Sequence, residues 1–155
     1  GYCLIAEENG EIIAVAVMQS LRHTRITLWD YLRSGAFALW RYAKPTQCFL
    51  PFLDKSSEYA KKQTSENRWY LESLVVSPAW QGKHIGGKFL DEAVLPLVAR
   101  EGGSQLSLVT NTAMNVFFYQ KHGFEQIHQT KIGGVDVWTM LAEVKSRYKA
   151  PDYLD

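Results

Sequence analysis

The run of residues from Ser77 to Leu90, SPAWQGKHIGGKFL, sets three glycines among basic residues, after one apolar stretch and before another. Loops of this composition hold phosphate. Successive backbone N–H groups point into one concavity, and the positive end of a following helix adds to their field. Two templates fit. Gly82 to Lys88 spells GxxxxGK, most of a nucleotide-hydrolase phosphate loop. The position that should carry Ser or Thr for magnesium is Phe89, however, and no strand ending in Asp supplies a second metal contact. The other template is Q/R-x-x-G-x-G/A, read here as Gln81, Gly82, Lys83, His84, Ile85 and Gly86. Such a loop holds a diphosphate without metal. A plain strand-to-helix connection with convenient glycines is the alternative to both.

The elements around this loop follow from pattern. CLIAEENGEIIAVAVMQ predicts a β-hairpin, with two strand-prone runs flanking Glu8-Asn9-Gly10. Residues 20–68 differ in character. Aromatic and aliphatic residues (Trp29, Tyr31, Phe37, Trp40 and Tyr42) recur at roughly helical spacing, and Pro45 and Pro51 bracket a break. This segment is expected to be a helical insertion within a single domain spanning 1–155, and its aromatic stripe to be the insertion's own core or an acceptor pocket. RWYLESLVV then predicts a strand ending at Ser77-Pro78. After the loop, Phe89, Leu90, Ala93, Val94, Leu97 and Val98 follow the 3.6-residue period of a helix, which Pro96 should kink unless a new turn starts there, and which Gly102-Gly103 should stop. QLSLVT is the next strand, TAMNVFFYQKHG a short helix, and FEQIHQTKI with VDVWTML an antiparallel pair about Gly133-Gly134. The order predicts a mixed α/β sheet domain.

Composition bounds the function. The 155 residues, with 46% hydrophobic and 21% charged residues, suit one globular domain. A formal net charge of +1 argues against a nucleic-acid partner. No apolar run reaches the ~20 residues that span a bilayer. Cys3 and Cys48 lack metal-ligand spacing, as do His23, His84, His122 and His128, so no metal site is expected. The cysteines are expected to sit reduced in a cytoplasmic protein. No signal peptide is visible, and the Gly1 start suggests residues lost upstream.

LVVSPAWQGKHIGG together with NVFFYQKHGF resembles the GNAT (GCN5-related N-acetyltransferase) superfamily, over roughly residues 69–140. The insertion, with WYL leading into the motif strand, is similar to the puromycin N-acetyltransferase-like branch. The resemblance implies a central, mostly antiparallel twisted sheet splayed at the cofactor site, with flanking helices. It implies transfer of an acetyl group from acetyl-CoA, as co-substrate, to a primary amine, of a small molecule in the first instance. Tyr119 occupies the family's tyrosine in N-x-x-x-Y-x-x-x-G-F. A phenol with pKa near 10 is protonated at neutral pH and can donate to a departing thiolate. Packing beside Phe117 and Phe118 is its bland alternative. Glu72 lies six residues before Pro78, where relatives carry a carboxylate base acting through water. A structural ion pair is equally compatible. Strand alternation would put Tyr70, Glu72, Leu74 and Val76 on one face.

By the same resemblance, the backbone of Leu74, Val75 and Val76 receives the pantetheine arm like an added strand. Gln81, Gly82, Lys83, His84, Ile85, Gly86 and Gly87 hold the diphosphate, and Asn115, Phe118 and Tyr119 border it. Asn115 could instead serve the short helix as a cap or turn residue. Lys88 and Lys121 are secondary, and His122 is expected at the surface. His84 departs from the family, which has glycine there. Either the position needs a left-handed backbone and binding is weakened, or the imidazole faces the phosphates. The family's first strand and two helices, which precede the hairpin, are not evident, so an open edge allows a monomer or a homodimer. Acetylation of a protein or peptide amine and a non-catalytic acyl-CoA-binding domain remain as alternatives.

Overall fold

The computed structural model describes residues 1–21 and 67–144. The expected insertion at 20–68 and its aromatic stripe lie outside these, apart from the insertion's ends. Six strands form one sheet in the order β1-β2-β3-β4-β6-β5, where β1 is Tyr2–Glu8, β2 Glu11–Ser20, β3 Arg68–Val76, β4 Gln105–Thr110, β5 Glu125–Ile132 and β6 Val135–Glu143. Only β3 and β4 run parallel, and the other neighbours are antiparallel. The β1–β2 hairpin closes through Asn9 and Gly10, both at positive φ (52° and 81°). That is the backbone an Asn-Gly pair adopts at least cost, and its twist matches the strands.

Helix α1 covers residues 85–100 and crosses between the parallel strands. Its start, Ile85–Phe89, and its end, Leu95–Arg100, are α-helical, and Leu90–Val94 between them is a wider π-helical turn. Here the expected kink takes a different form. Pro96 cannot donate to the carbonyl four residues back, and the widened turn just before it accommodates the ring without breaking the helix. The N–H of Gly103 closes the end on the Val98 carbonyl at 2.7 Å. Leu90, Val94 and Val98 are completely buried, in one cluster with Met18, Leu106 and Met140 of the sheet. Each such side chain contributes about 1.5–3 kcal/mol. Helix α2, Ala113–Lys121, follows β4 and is capped by Thr112, whose hydroxyl accepts from the Asn115 N–H at 3.3 Å. Among the described residues no helix is long and apolar enough to cross a membrane. Nor do three His, Cys, Asp or Glu side chains gather there as a metal set.

Candidate active site

The site begins with a defect in a strand. Val17 of β2 pairs with Ser73 and Met18 with Leu71, which leaves Glu72 as an extra residue. A bulge of this kind reverses which face later residues occupy. Leu71 sits in the core, and Leu74 and Val76 pack against that same core. The expected grouping of Glu72 with Leu74 and Val76 is therefore wrong, because unbroken alternation does not survive an inserted residue. The bulge has a second effect. β3 and β4 pair only over residues 68–71 against 105–108. Beyond that point β3 stays with β2 as far as Val76, and β4 stays with β6 as far as Thr110. The parallel strands part, and the β3 edge facing β4 has no strand partner among the described residues. Backbone N–H groups on such an edge can receive an extended ligand.

Both motifs sit at the carboxyl ends of these parting strands, where open α/β sheets bind their ligands. After β3, Pro78–Trp80 makes one tight helical turn, and the loop runs to α1. Gln81 Nε2 donates to the Val76 carbonyl at 3.0 Å, tying the loop to its strand. His84 caps α1 in the left-handed region, at φ 61° and ψ 10°. The backbone at this position is thus left-handed, and His84 also lines the cleft. Gly86 is a cradle. A Cβ there would lie 3.3 Å from Val76 Cγ2 and 3.7 Å from Phe118 Cζ. Across the gap, α2 supplies Asn115, Phe118 and Tyr119. Together these elements enclose a cleft of about 480 Å³. Gln81, Gly82, His84, Ile85, Gly86 and Gly87 line one side, Leu74 and Val76 the floor, and the three α2 residues the other side.

The acetyltransferase (GNAT) domain profile matches residues 53–126. That match spans 74 of the chain's 155 residues and is what the sequence shares with the GNAT superfamily. Solved structures agree in fold. A crystallised acetyltransferase matches with TM-score 0.58 and 22% identity over 92% of this chain and 69% of its own. The ribosomal-protein-S18-alanine N-acetyltransferase of Escherichia coli gives 0.54 and 15%, over 96% and 70%. A Drosophila melanogaster polyamine N-acetyltransferase gives 0.60 and 15%, over 91% and 74%. No curated protein sequence matches the chain at a significant level. The matched profile and these solved structures are all of acetyltransferases.

Within this cleft Tyr119 is half-buried, edge-on to Phe118 and Phe124 at 5.1 and 5.4 Å between ring centroids. Burial pushes its phenol up to about 12. Taking the ring out of water disfavours tyrosinate, so the hydroxyl keeps its proton through the neutral range. Glu72 stands apart. It is exposed at the bulge, accepts from the Gln19 amide, and does not line the cleft. Val75 is 56% exposed and also does not line it. Lys83 does not line the cleft; its ammonium lies 4.4 Å from the centre of the ring of Trp80, which does. Trp80, which lines the cleft, is the residue that sequence reasoning missed. The available signal was a large aromatic in an otherwise polar loop. His122 is not a surface residue as expected. Its side chain is 20% exposed and reaches Asp91 of α1, with Nδ1 2.7 Å from Oδ2. Phe89, the residue that spoiled the nucleotide-hydrolase template, is buried in the core.

Proposed function

We propose that this domain transfers the acetyl group of acetyl-CoA to a primary amine of a small molecule by direct attack. The observation that carries the reading is the convergence, on one cleft, of a diphosphate-type loop, an unpaired strand edge and a phenol that burial keeps protonated. The residues present fit the co-substrate. Gly82 and Gly86 leave the loop backbone open to an anion, and the start of α1 points its N–H groups the same way. When bound, acetyl-CoA supplies the thioester whose C–S bond breaks as the amide C–N bond forms.

Backbone N–H groups of the β3 edge at Leu74 to Val76 hold the pantetheine arm and donate to the carbonyl oxygen as charge builds on it. The Tyr119 hydroxyl gives its proton to the departing thiolate. Glu72, reached through solvent from its bulge, takes the proton that the amine must lose. The small-molecule class is supported by the Drosophila structure, which the chain resembles in fold and which is named for forming N-acetylagmatine. Two experiments test the reading. Calorimetry with acetyl-CoA should show saturable binding, and ATP–magnesium in parallel should show none. Release of free CoA thiol should then follow with at least one member of an amine panel that includes agmatine and polyamines. Absence of acetyl-CoA binding, or binding with no thiol release for any amine, would overturn the proposal.

A further inference from the structure

Gly87 and Asp91 are one helical turn apart on α1, and so share a face. Phe118 and His122 have the same spacing at the end of α2, and their ring centroids are 4.8 Å apart. The two pairs interlock. A Cβ on Gly87 would stand 2.5 Å from both Cε1 and Nε2 of His122, so the imidazole occupies the space that any larger residue would need. Next to Cε1 in the same ring, Nδ1 lies 2.7 Å from the Asp91 carboxylate and can donate to it. Phe118 lies one helical turn earlier, against Gly86. Gly87 is therefore small for a reason unconnected with phosphate: it lets α2 dock on the first turn of α1.

We propose that His122 is a positioning residue, which fixes the distance between the diphosphate loop and the Tyr119 hydroxyl. This rests on the acetyl-transfer reading above. A long co-substrate held at its diphosphate by α1 must meet, at its sulfur, an acid carried by α2. The His122–Asp91–Gly87 contact is the joint between those two helices. Loosening the joint leaves the loop intact and displaces the acid.

The test compares His122→Ala, His122→Asn, Gly87→Ala and the double variant Gly87→Ala/His122→Asn. Asparagine retains a donor near the Nδ1 position and removes the far edge of the ring. Melting temperature, acetyl-CoA Kd by calorimetry and kcat with the best amine are the readouts. His122→Ala should lower kcat on the order of 10- to 100-fold, the scale of a misplacement of about 1 Å, while Kd stays nearly unchanged. Gly87→Ala should lower melting temperature and kcat, and the double variant should recover both. If Gly87→Ala does not fold, recovery of a folded protein in the double variant is the same readout. A His122→Ala protein with unchanged kcat, or with Kd weakened as much as kcat, would overturn the proposal. So would Gly87 and His122 effects that simply add. If the unsubstituted chain binds acetyl-CoA yet turns over no amine, the functional reading fails by itself, and coupling of melting temperatures still judges the joint.

Discussion

Replacing His84 by glycine should stabilise the protein. His84 has φ 61° and ψ 10° at the mouth of the loop. Holding an L-residue there costs about 1–2 kcal/mol relative to glycine, and His, which visits this region more readily than most, lies toward the lower end. Glycine returns about 0.4–1 kcal/mol of that, because it makes the unfolded chain freer. The net gain is at most about 1 kcal/mol, which for a chain of this size raises Tm by up to about 4 °C. Valine at the same position should lower Tm, because a β-branched residue is a genuine outlier in this region. Thermal melts of the Gly, wild-type and Val proteins therefore have a required order, with Gly highest and Val lowest. Acetyl-CoA affinity is a separate readout. An imidazole that contacts the diphosphate would be worth about 1.5–3 kcal/mol, or at least about tenfold in Kd. We expect backbone donors to carry the anion, so His84→Gly should bind nearly as well as wild type. A valine protein that melts with or above the glycine one would refute the conformational reasoning. A tenfold loss of affinity in His84→Gly would refute the claim that the imidazole is dispensable.

Tyr119→Phe should lose about 10²- to 10⁴-fold in kcat, with acetyl-CoA Kd unchanged by calorimetry. Since burial raises the Tyr119 pKa to about 12, kcat/KM should show no fall from loss of its proton up to pH 10. The same shift has a stability consequence. The raised pKa leaves stability intact below the unfolded value near 10, and stability then falls as pH rises toward 12. Melting curves of wild type should therefore decline more steeply across that window than those of Tyr119→Phe. Leu90→Ala removes a completely buried side chain from the π-helical turn and should cost about 2–5 kcal/mol in urea denaturation.

The hairpin, the motif strand, both helices and the final antiparallel pair were legible because each rests on local chemistry. Asn9-Gly10 forces a turn, and the 3.6-residue period of Phe89 to Val98 makes one apolar helical face; the cap of α2 is Thr112, not Asn115, whose own N–H donates to the Thr112 hydroxyl. The loop's place was legible for the same reason, since its glycines mark the connection between a strand and a helix, but they fitted two phosphate templates and a plain connection alike. The faces of β3 were not. One residue inserted at Glu72 moves Leu74 and Val76 onto the side of Leu71, and nothing in RWYLESLVV marks where the insertion falls. His122 was hidden differently. Its partner Asp91 is thirty-one positions away, so only the docking of α2 on α1 shows why a histidine stands there and a glycine at 87. Trp80 belongs to the same class. A lone aromatic in a polar loop has no period, and the cleft becomes visible only when α2 closes its far side.

The near-match to a nucleotide-hydrolase loop also has a physical resolution. Both kinds of site use one device, a loop of open backbone donors between a parallel strand and the start of a helix. What separates them lies around the loop. A triphosphate site needs a hydroxyl at the second helical position after the lysine's glycine, and a carboxylate at the end of the neighbouring strand, to share a magnesium ion. In this chain the first of those positions is Phe89, turned into the core, and β4 ends in Leu-Val-Thr. The neighbouring strand has moved away, and a half-buried phenol lines the cleft between them. A parted pair of strands serves no purpose for a triphosphate, whose reacting end lies close to the loop. It is what a ligand needs when its anion and its reacting atom are separated by a long, thin arm that must be gripped along its length. Under the acetyl-transfer reading proposed above, the bulge at Glu72 and the phenol at Tyr119 are two halves of one requirement, and the loop alone would have been compatible with either chemistry.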